Sequence, residues 1–111
     1  MSSYIPSHGD IVWLEFNPQA GHEQAGRRPA IVLSKKEYNQ KTGLAVFCPI
    51  TSKSKGYPFE VNIDGSKIKG VVLSDHIKNL DWKARKIKFI ETANTKAFNE
   101  VIAKSNVILP D

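Results

Sequence analysis

The feature that most constrains this chain is a succession of short apolar, β-branched and aromatic runs, each closed by turn residues, with little helical spacing between them. Gly9-Asp10 opens Ile11-Val12-Trp13-Leu14-Glu15-Phe16, and Asn17-Pro18-Gln19-Ala20-Gly21 stops it. Pro29-Ala30-Ile31-Val32-Leu33 is a second strand, with proline at its start, where a missing N–H does least harm. Leu44-Ala45-Val46-Phe47-Cys48-Pro49-Ile50 is almost wholly apolar, the mark of a strand buried on both faces. Phe59–Ile63 alternates, as a strand with one wet face does, and Gly70–Ser74 and Ile87–Ile90 complete the set. Ile77–Trp82 is a weaker extra strand. Parallel strands need long crossovers, for which there is no room, so the sheet is expected to be antiparallel.

Only two segments read as helix. Lys35–Lys41 suits a short helical turn ending near Gly43. From Thr95, Ala97, Phe98, Val101, Ile102, Ser105 and Ile108 recur on one helical face. Asn94 or Thr95 can cap that helix, and Pro110 ends it. The expected architecture is a single domain, residues 1–111, mainly β, an antiparallel barrel or sandwich with a C-terminal helix.

Composition narrows the class further. With 24% charged and 41% hydrophobic residues in 111, a disordered chain is excluded. No apolar run approaches the roughly 20 residues that span a bilayer. Met1–Pro6 lacks the pattern of a secretory signal, and a lone cysteine forms no internal disulfide. A cytoplasmic protein with no metal centre, no cofactor and no membrane contact is expected. The net charge of +5 lies mostly in the second half, densest at Lys83-Ala84-Arg85-Lys86-Ile87-Lys88. Such a surface attracts a polyanion, or simply keeps the protein soluble.

The most unusual stretch is Gly21-His22-Glu23-Gln24-Ala25-Gly26-Arg27-Arg28-Pro29, which crowds an imidazole, a carboxylate, an amide and two guanidiniums between strands. It is a functional loop or a hydrophilic connection with a charge pair. Thr51-Ser52 directly follows the third strand, where two hydroxyls donate to a phosphate or cap a turn. Ser52-Lys53-Ser54-Lys55-Gly56-Tyr57-Pro58 is a basic loop with one ring, suited to tracking a nucleic-acid backbone and stacking a base. Cys48 reads as core packing and His8 as exposed. Trp13 reads as core or interface, and Trp82 as packing or as a stacking platform beside the basic run. Asp75-His76 follows a strand end, but no nucleophile elbow accompanies it.

Four stretches together resemble the MazF/PemK family of bacterial toxins. They are Gly9–Trp13, Gly21–Ser34, Cys48–Ser52 with Lys55–Val61, and Val72–Trp82. They stand in the family's order, and the Gly-x-Glu-Gln-x-Gly-x-Arg-Pro element is specific to it. The resemblance implies an SH3-like antiparallel β-barrel with short helices, usually a homodimer. It implies a ribosome-independent, metal-independent endoribonuclease cutting single-stranded RNA, mostly mRNA, at short sequences. It also implies an acidic, MazE-like antitoxin as partner. By matching position Arg28 and Thr51 are the catalytic arginine and threonine, Glu23 an activity-linked glutamate, and Asp75 an aspartate that some members use. Two positions depart from the pattern. Arg27 stands where some members have histidine, leaving His22 as an alternative proton-transfer group, and His76 stands where many have glutamine.

RNA carries a 2′-hydroxyl beside each scissile phosphate, an internal nucleophile already in place. Its attack leaves a 2′,3′-cyclic phosphate and a 5′-hydroxyl. Arg28 suits the charge that builds on the phosphate oxygens, Thr51 adds a donor, and Glu23 serves as base or orients Arg28. Contacts to RNA are expected from His22, Gln24, Arg27, Ser52, Lys55, Tyr57, Asp75, Lys78 and Trp82. The alternative is a CcdB-like toxin on the same fold that binds DNA gyrase.

Overall fold

The computed structural model describes residues 4–16 and 26–110. Along them run β1 (Asp10–Glu15), β2 (Arg27–Val32), α1 (Lys36–Thr42), β3 (Leu44–Thr51), β4 (Glu60–Asp64), β5 (Lys69–Leu73), β6 (Lys78–Asp81), β7 (Lys88–Thr92) and α2 (Thr95–Val107). The strands pair in the order β4-β5-β3-β2-β1-β7, with β6 also on β3, and every pairing is antiparallel. The expected SH3-like antiparallel barrel therefore forms as one sheet curled on itself, with α2 as its C-terminal helix.

The eight-residue strand β3 organises the sheet. One edge pairs with β2 through Phe47, Cys48 and Pro49. The other is shared, with β6 along Leu44–Phe47 and β5 along Ile50–Thr51. The less certain sixth strand, Lys78–Asp81, is thus real, held by β3 rather than by its own modest propensity.

Both faces of the central strands are covered, which explains their continuous apolar runs. On one face Ile11, Ile31, Cys48, Ile50, Val61, Ile63 and Val72 pack with Val101 of α2. On the other, Val12, Leu14, Ala30, Val32, Ala45 and Phe47 pack with Trp82, and Tyr4 and Ile5 close the edge. Buried Asn39 of α1 ties this second layer together. Its Nδ2 donates to the carbonyls of Pro6 and Ser34 at 2.8 and 3.1 Å, and its own carbonyl accepts Trp82 Nε1–H at 3.2 Å.

Two boundaries differ from the sequence reading, and one of its two candidate caps is selected. β2 begins at Arg27, because Arg27 and Arg28 pair with Glu15 and Leu14 of β1. Pro29 therefore lies inside the strand, where the ladder to β3 has already stopped at Ala30. Asn94 is the cap of α2, its side chain accepting Lys96 and Ala97 N–H at 2.8 and 3.2 Å. The helix ends at Val107, ahead of Pro110, and Ile108 is exposed rather than on the packed face. Among the described residues no helix is long and apolar enough to cross a membrane.

Candidate active site

Strand register brings Arg28 and Thr51 together. In the β2–β3 pair Ala30 stands opposite Pro49. The ladder stops there, and Arg28 and Thr51, just beyond it on these neighbouring strands, line the same clefts. Neither residue is near the other in sequence. They meet only because β2 and β3 are neighbours.

Three adjoining clefts meet at this pair. One, of about 420 Å³, is also walled by Ser52, Lys53 and Lys69. A second, of about 630 Å³, adds Lys55, Tyr57, Glu60 and His76. The third, of about 600 Å³, adds Phe16, His76, Lys78 and Arg85. Cations thus surround the centre, and Glu60 is the one carboxylate among these lining residues. Such clefts focus positive potential on a bound polyanion.

Glu60 is engaged in holding the neighbouring loop. It accepts Ser54 Oγ–H at 2.6 Å and the Lys55 N–H at 2.9 Å. The Ser54 hydroxyl foremost, then backbone N–H groups, hold its carboxyl below the usual carboxylate range. Loop residues Lys55 and Tyr57 are therefore presented toward the cleft on a fixed backbone. Tyr57 donates its hydroxyl to Asp75 Oδ2 at 2.6 Å, which pushes the phenol's own ionisation upward. With 44% of its surface exposed, the Tyr57 ring has a face open to a base.

The sequence-derived residues fare differently. Arg28, Thr51, Ser52, Lys55, Tyr57 and Lys78 line the clefts, and Asp75 reaches them through Tyr57. Arg27 does not. It alternates to the opposite side of β2, where its guanidinium donates to the Lys86 carbonyl at 3.2 Å. Trp82 is also corrected. It is only 6% exposed, and its indole N–H is committed to Asn39, so it packs the core. Glu23, His22 and Gln24 lie outside the described residues. Cys48 is buried as expected, and burial pushes its thiol up to about 12, far from a reactive thiolate.

Sequence reasoning passed over three lining residues, Lys69, His76 and Arg85, and placed Lys53 only within a basic loop. Lys53, Lys69, His76 and Arg85 reach the clefts from three connections and from strand β5. Arg85 had stood out only as part of a basic run. Its guanidinium donates to the carbonyls of Glu15 and Phe16 at 3.0 and 2.6 Å, pinning the end of β1 beside Arg28. His76 is signalled in the sequence only by its place after Asp75.

Comparison with known proteins gives the family. The family model described as PemK-like, MazF-like toxin of type II toxin-antitoxin system matches residues 7–109. The chain is 44% identical over 109 residues to the endoribonuclease toxin MazF of Escherichia coli strain K12, covering 98% of each. It is 36% identical to the endoribonuclease PemK of Escherichia coli, covering 91% of this chain and 80% of PemK. The crystal structure of MazF from Deinococcus radiodurans superposes with a TM-score of 0.88 at 49% identity, covering 96% of this chain and 98% of that one. A MazE–MazF complex from the same organism gives a TM-score of 0.85 at 42% identity, covering 96% and 97%. With nearly the whole chain matched by family, sequence and fold, the protein belongs to the PemK-like, MazF-like toxins of type II toxin–antitoxin systems.

Proposed function

We propose that this chain is an endoribonuclease toxin that cuts single-stranded RNA, chiefly mRNA, where Arg28 faces Thr51. The observation that carries this reading is that Arg28 and Thr51 together line three adjoining basic clefts. A phosphodiester lodged there meets a guanidinium fork and a hydroxyl donor directed at its non-bridging oxygens. The substrate's 2′-oxygen attacks phosphorus, the bond to the 5′-oxygen breaks, and the products carry a 2′,3′-cyclic phosphate and a 5′-hydroxyl. DNA lacks that oxygen and acts only as a competitor. Arg28 stabilises developing charge and does not trade protons, since guanidinium stays ionised at working pH. Glu23 belongs to the same reading as base or as a partner that orients Arg28.

Sequence preference is drawn from Tyr57 stacking and from polar contacts by Ser52, Lys55 and Lys78, joined by His22 and Gln24. Cleavage is independent of ribosomes, of a metal and of any cofactor. The basic clefts suit an acidic antitoxin, and MazE-bound relatives support a MazE-like partner. A homodimer in the cytoplasm completes the reading. A CcdB-like gyrase binder would need no phosphodiester site, and the family match does not favour it.

The test is a purified transcript incubated with the protein in EDTA, followed by end-group analysis. Cleavage to cyclic phosphate ends is expected. Loss of one such donor raises the barrier by about 2.7–4 kcal/mol, roughly 10²–10³ in rate. Arg28→Ala should lose that much while still binding RNA, and Arg28→Lys should rescue little, because it lacks the fork. Wild-type cleavage by Arg28→Ala would reject the site, and intact RNA with the native protein would reject the function.

A further inference from the structure

We infer that His76 is the general base of the cleavage, held in place by the pair Tyr57–Asp75; the inference rests on the RNA-cleaving reading above. His76 lines both larger clefts beside Arg28 and Thr51, and its side chain is about half exposed, at 51%. It can therefore meet a ribose that those two residues hold by the neighbouring phosphate.

The turn that carries it is rigidly built. The His76 N–H donates to the Leu73 carbonyl at 3.0 Å, and the Ser74 N–H donates to the Phe59 carbonyl at 3.1 Å. From the other side Ser105 of α2 donates its hydroxyl to the Ser74 carbonyl at 2.8 Å. Asp75 is fixed in turn by Tyr57, whose hydroxyl occupies Oδ2. The other carboxylate oxygen, Oδ1, is buried with no hydrogen-bond partner among the described residues. His76 Nε2 lies 3.9 Å from it.

A buried oxygen without a donor is costly, and a small rotation of the imidazole satisfies it. Catalytic hydrogen bonds are often long before substrate arrives and tighten when it does. Once made, this bond sets the proton of neutral His76 on Nε2 and leaves the Nδ1 lone pair facing the cleft. Nδ1 then takes the 2′-hydroxyl proton as the 2′-oxygen bonds to phosphorus. The departing 5′-oxygen takes a proton from water, and the imidazolium returns its own to solvent.

Imidazole is the side chain that ordinarily changes charge between pH 5 and 8. Charged groups of both signs face His76. Arg28 of β2, Lys53 and Lys55 after β3, Lys78 of β6 and Arg85 before β7 are the cations that share its clefts. Asp75 beside it and Glu60 of β4 across the cleft are the carboxylates, and Tyr57 is the neighbouring phenol.

The deciding experiment is the single-turnover rate on a short oligoribonucleotide across that pH range, for the native protein and for His76→Gln, Asp75→Asn and Tyr57→Phe. Binding is measured separately, on the same oligonucleotide with a 2′-deoxy sugar at the scissile position. Native cleavage should rise with pH along one limb to a plateau. His76→Gln should lose about 10²–10⁴ in rate and lose that limb, with binding little changed. Asp75→Asn should keep the limb but move it to lower pH, a readout that a merely structural role leaves alone. Tyr57→Phe should move it less. A His76→Gln protein with the native rate and limb overturns the assignment, and so does a native limb that falls with pH. Either result leaves RNA cleavage standing. Failure of the native protein to cut at any pH removes the RNA reading, and this assignment with it.

Discussion

Gly70 touches no substrate in the scheme above, yet its replacement by alanine should disable the site. Gly70 lies in β5, and a Cβ built on it falls 2.4 Å from the Thr51 carbonyl oxygen and 3.1 Å from the Thr51 carbonyl carbon. Ordinary van der Waals contact begins at 3.4 Å, so close to 1 Å must be opened. Neither obstacle is the end of a flexible side chain. Both belong to the backbone of Thr51, the proposed catalytic threonine, in a strand pair locked by Ile50 opposite Val72 and Thr51 opposite Val71. The end of β3 must therefore shift away from its station beside Arg28. Misplacing a reacting group by about 1 Å costs on the order of 10² in rate. Overpacking at such a site costs about 1–3 kcal/mol of stability. The control is Gly43→Ala, at φ +74° with nothing within 4 Å of the new Cβ. It carries backbone strain of about 1 kcal/mol or more and leaves the clefts untouched. Initial rates on a fluorogenic oligonucleotide, taken where circular dichroism shows both variants folded, separate the two effects. Gly70→Ala should be about a hundredfold slow and Gly43→Ala native. Equal rates for the two would refute the claim that Thr51 must stand where β3 puts it.

Two further predictions follow from local chemistry. Glu91 accepts Ser66 N–H and Oγ–H at 3.2 and 2.9 Å on one oxygen, and Lys67 and Ile68 N–H at 3.0 and 2.9 Å on the other. Desolvation alone would raise its carboxyl, but these bonds outweigh it and hold the group below its ordinary value of 4.5. A carboxyl depressed in the folded state lends stability above its unfolded pKa and loses it as pH falls through the folded one. Urea midpoints should thus decline below about pH 4.5 in the native protein and decline less in Glu91→Gln; parallel curves would count against the clamp. Trp82→Phe should cost about 1 kcal/mol, the worth of its bond to Asn39, with RNA affinity unchanged. A tenfold loss of affinity for an uncleavable oligonucleotide would return Trp82 to the binding surface.

The elements that local chemistry governs were readable in the chain. Apolar alternation and turn residues marked the strands, because the two-residue period and the φ demands of turns act over a few positions. Asn94 announced the start of α2, since capping needs only two or three following N–H groups. Even the unbroken run in β3 was informative, as only a strand covered on both faces stays apolar throughout. The resemblance picked out Arg28 and Thr51, and physical spacing by itself left them as one arginine of two and one hydroxyl of two.

The choice between neighbours belonged to the tertiary structure. Arg27 and Arg28 are chemically alike, and the pairing of β2 sends one to the Lys86 carbonyl and the other into the clefts. Trp82 became core because β6 pairs with β3 and carries the indole over α1, an event distant in sequence. Lys69, His76 and Arg85 joined the site for the same reason. Their positions depend on which strands share an edge with β3, a global outcome of burying both faces of the sheet at once. Local sequence decides what each segment becomes; only the closed packing of all of them decides which side chains meet.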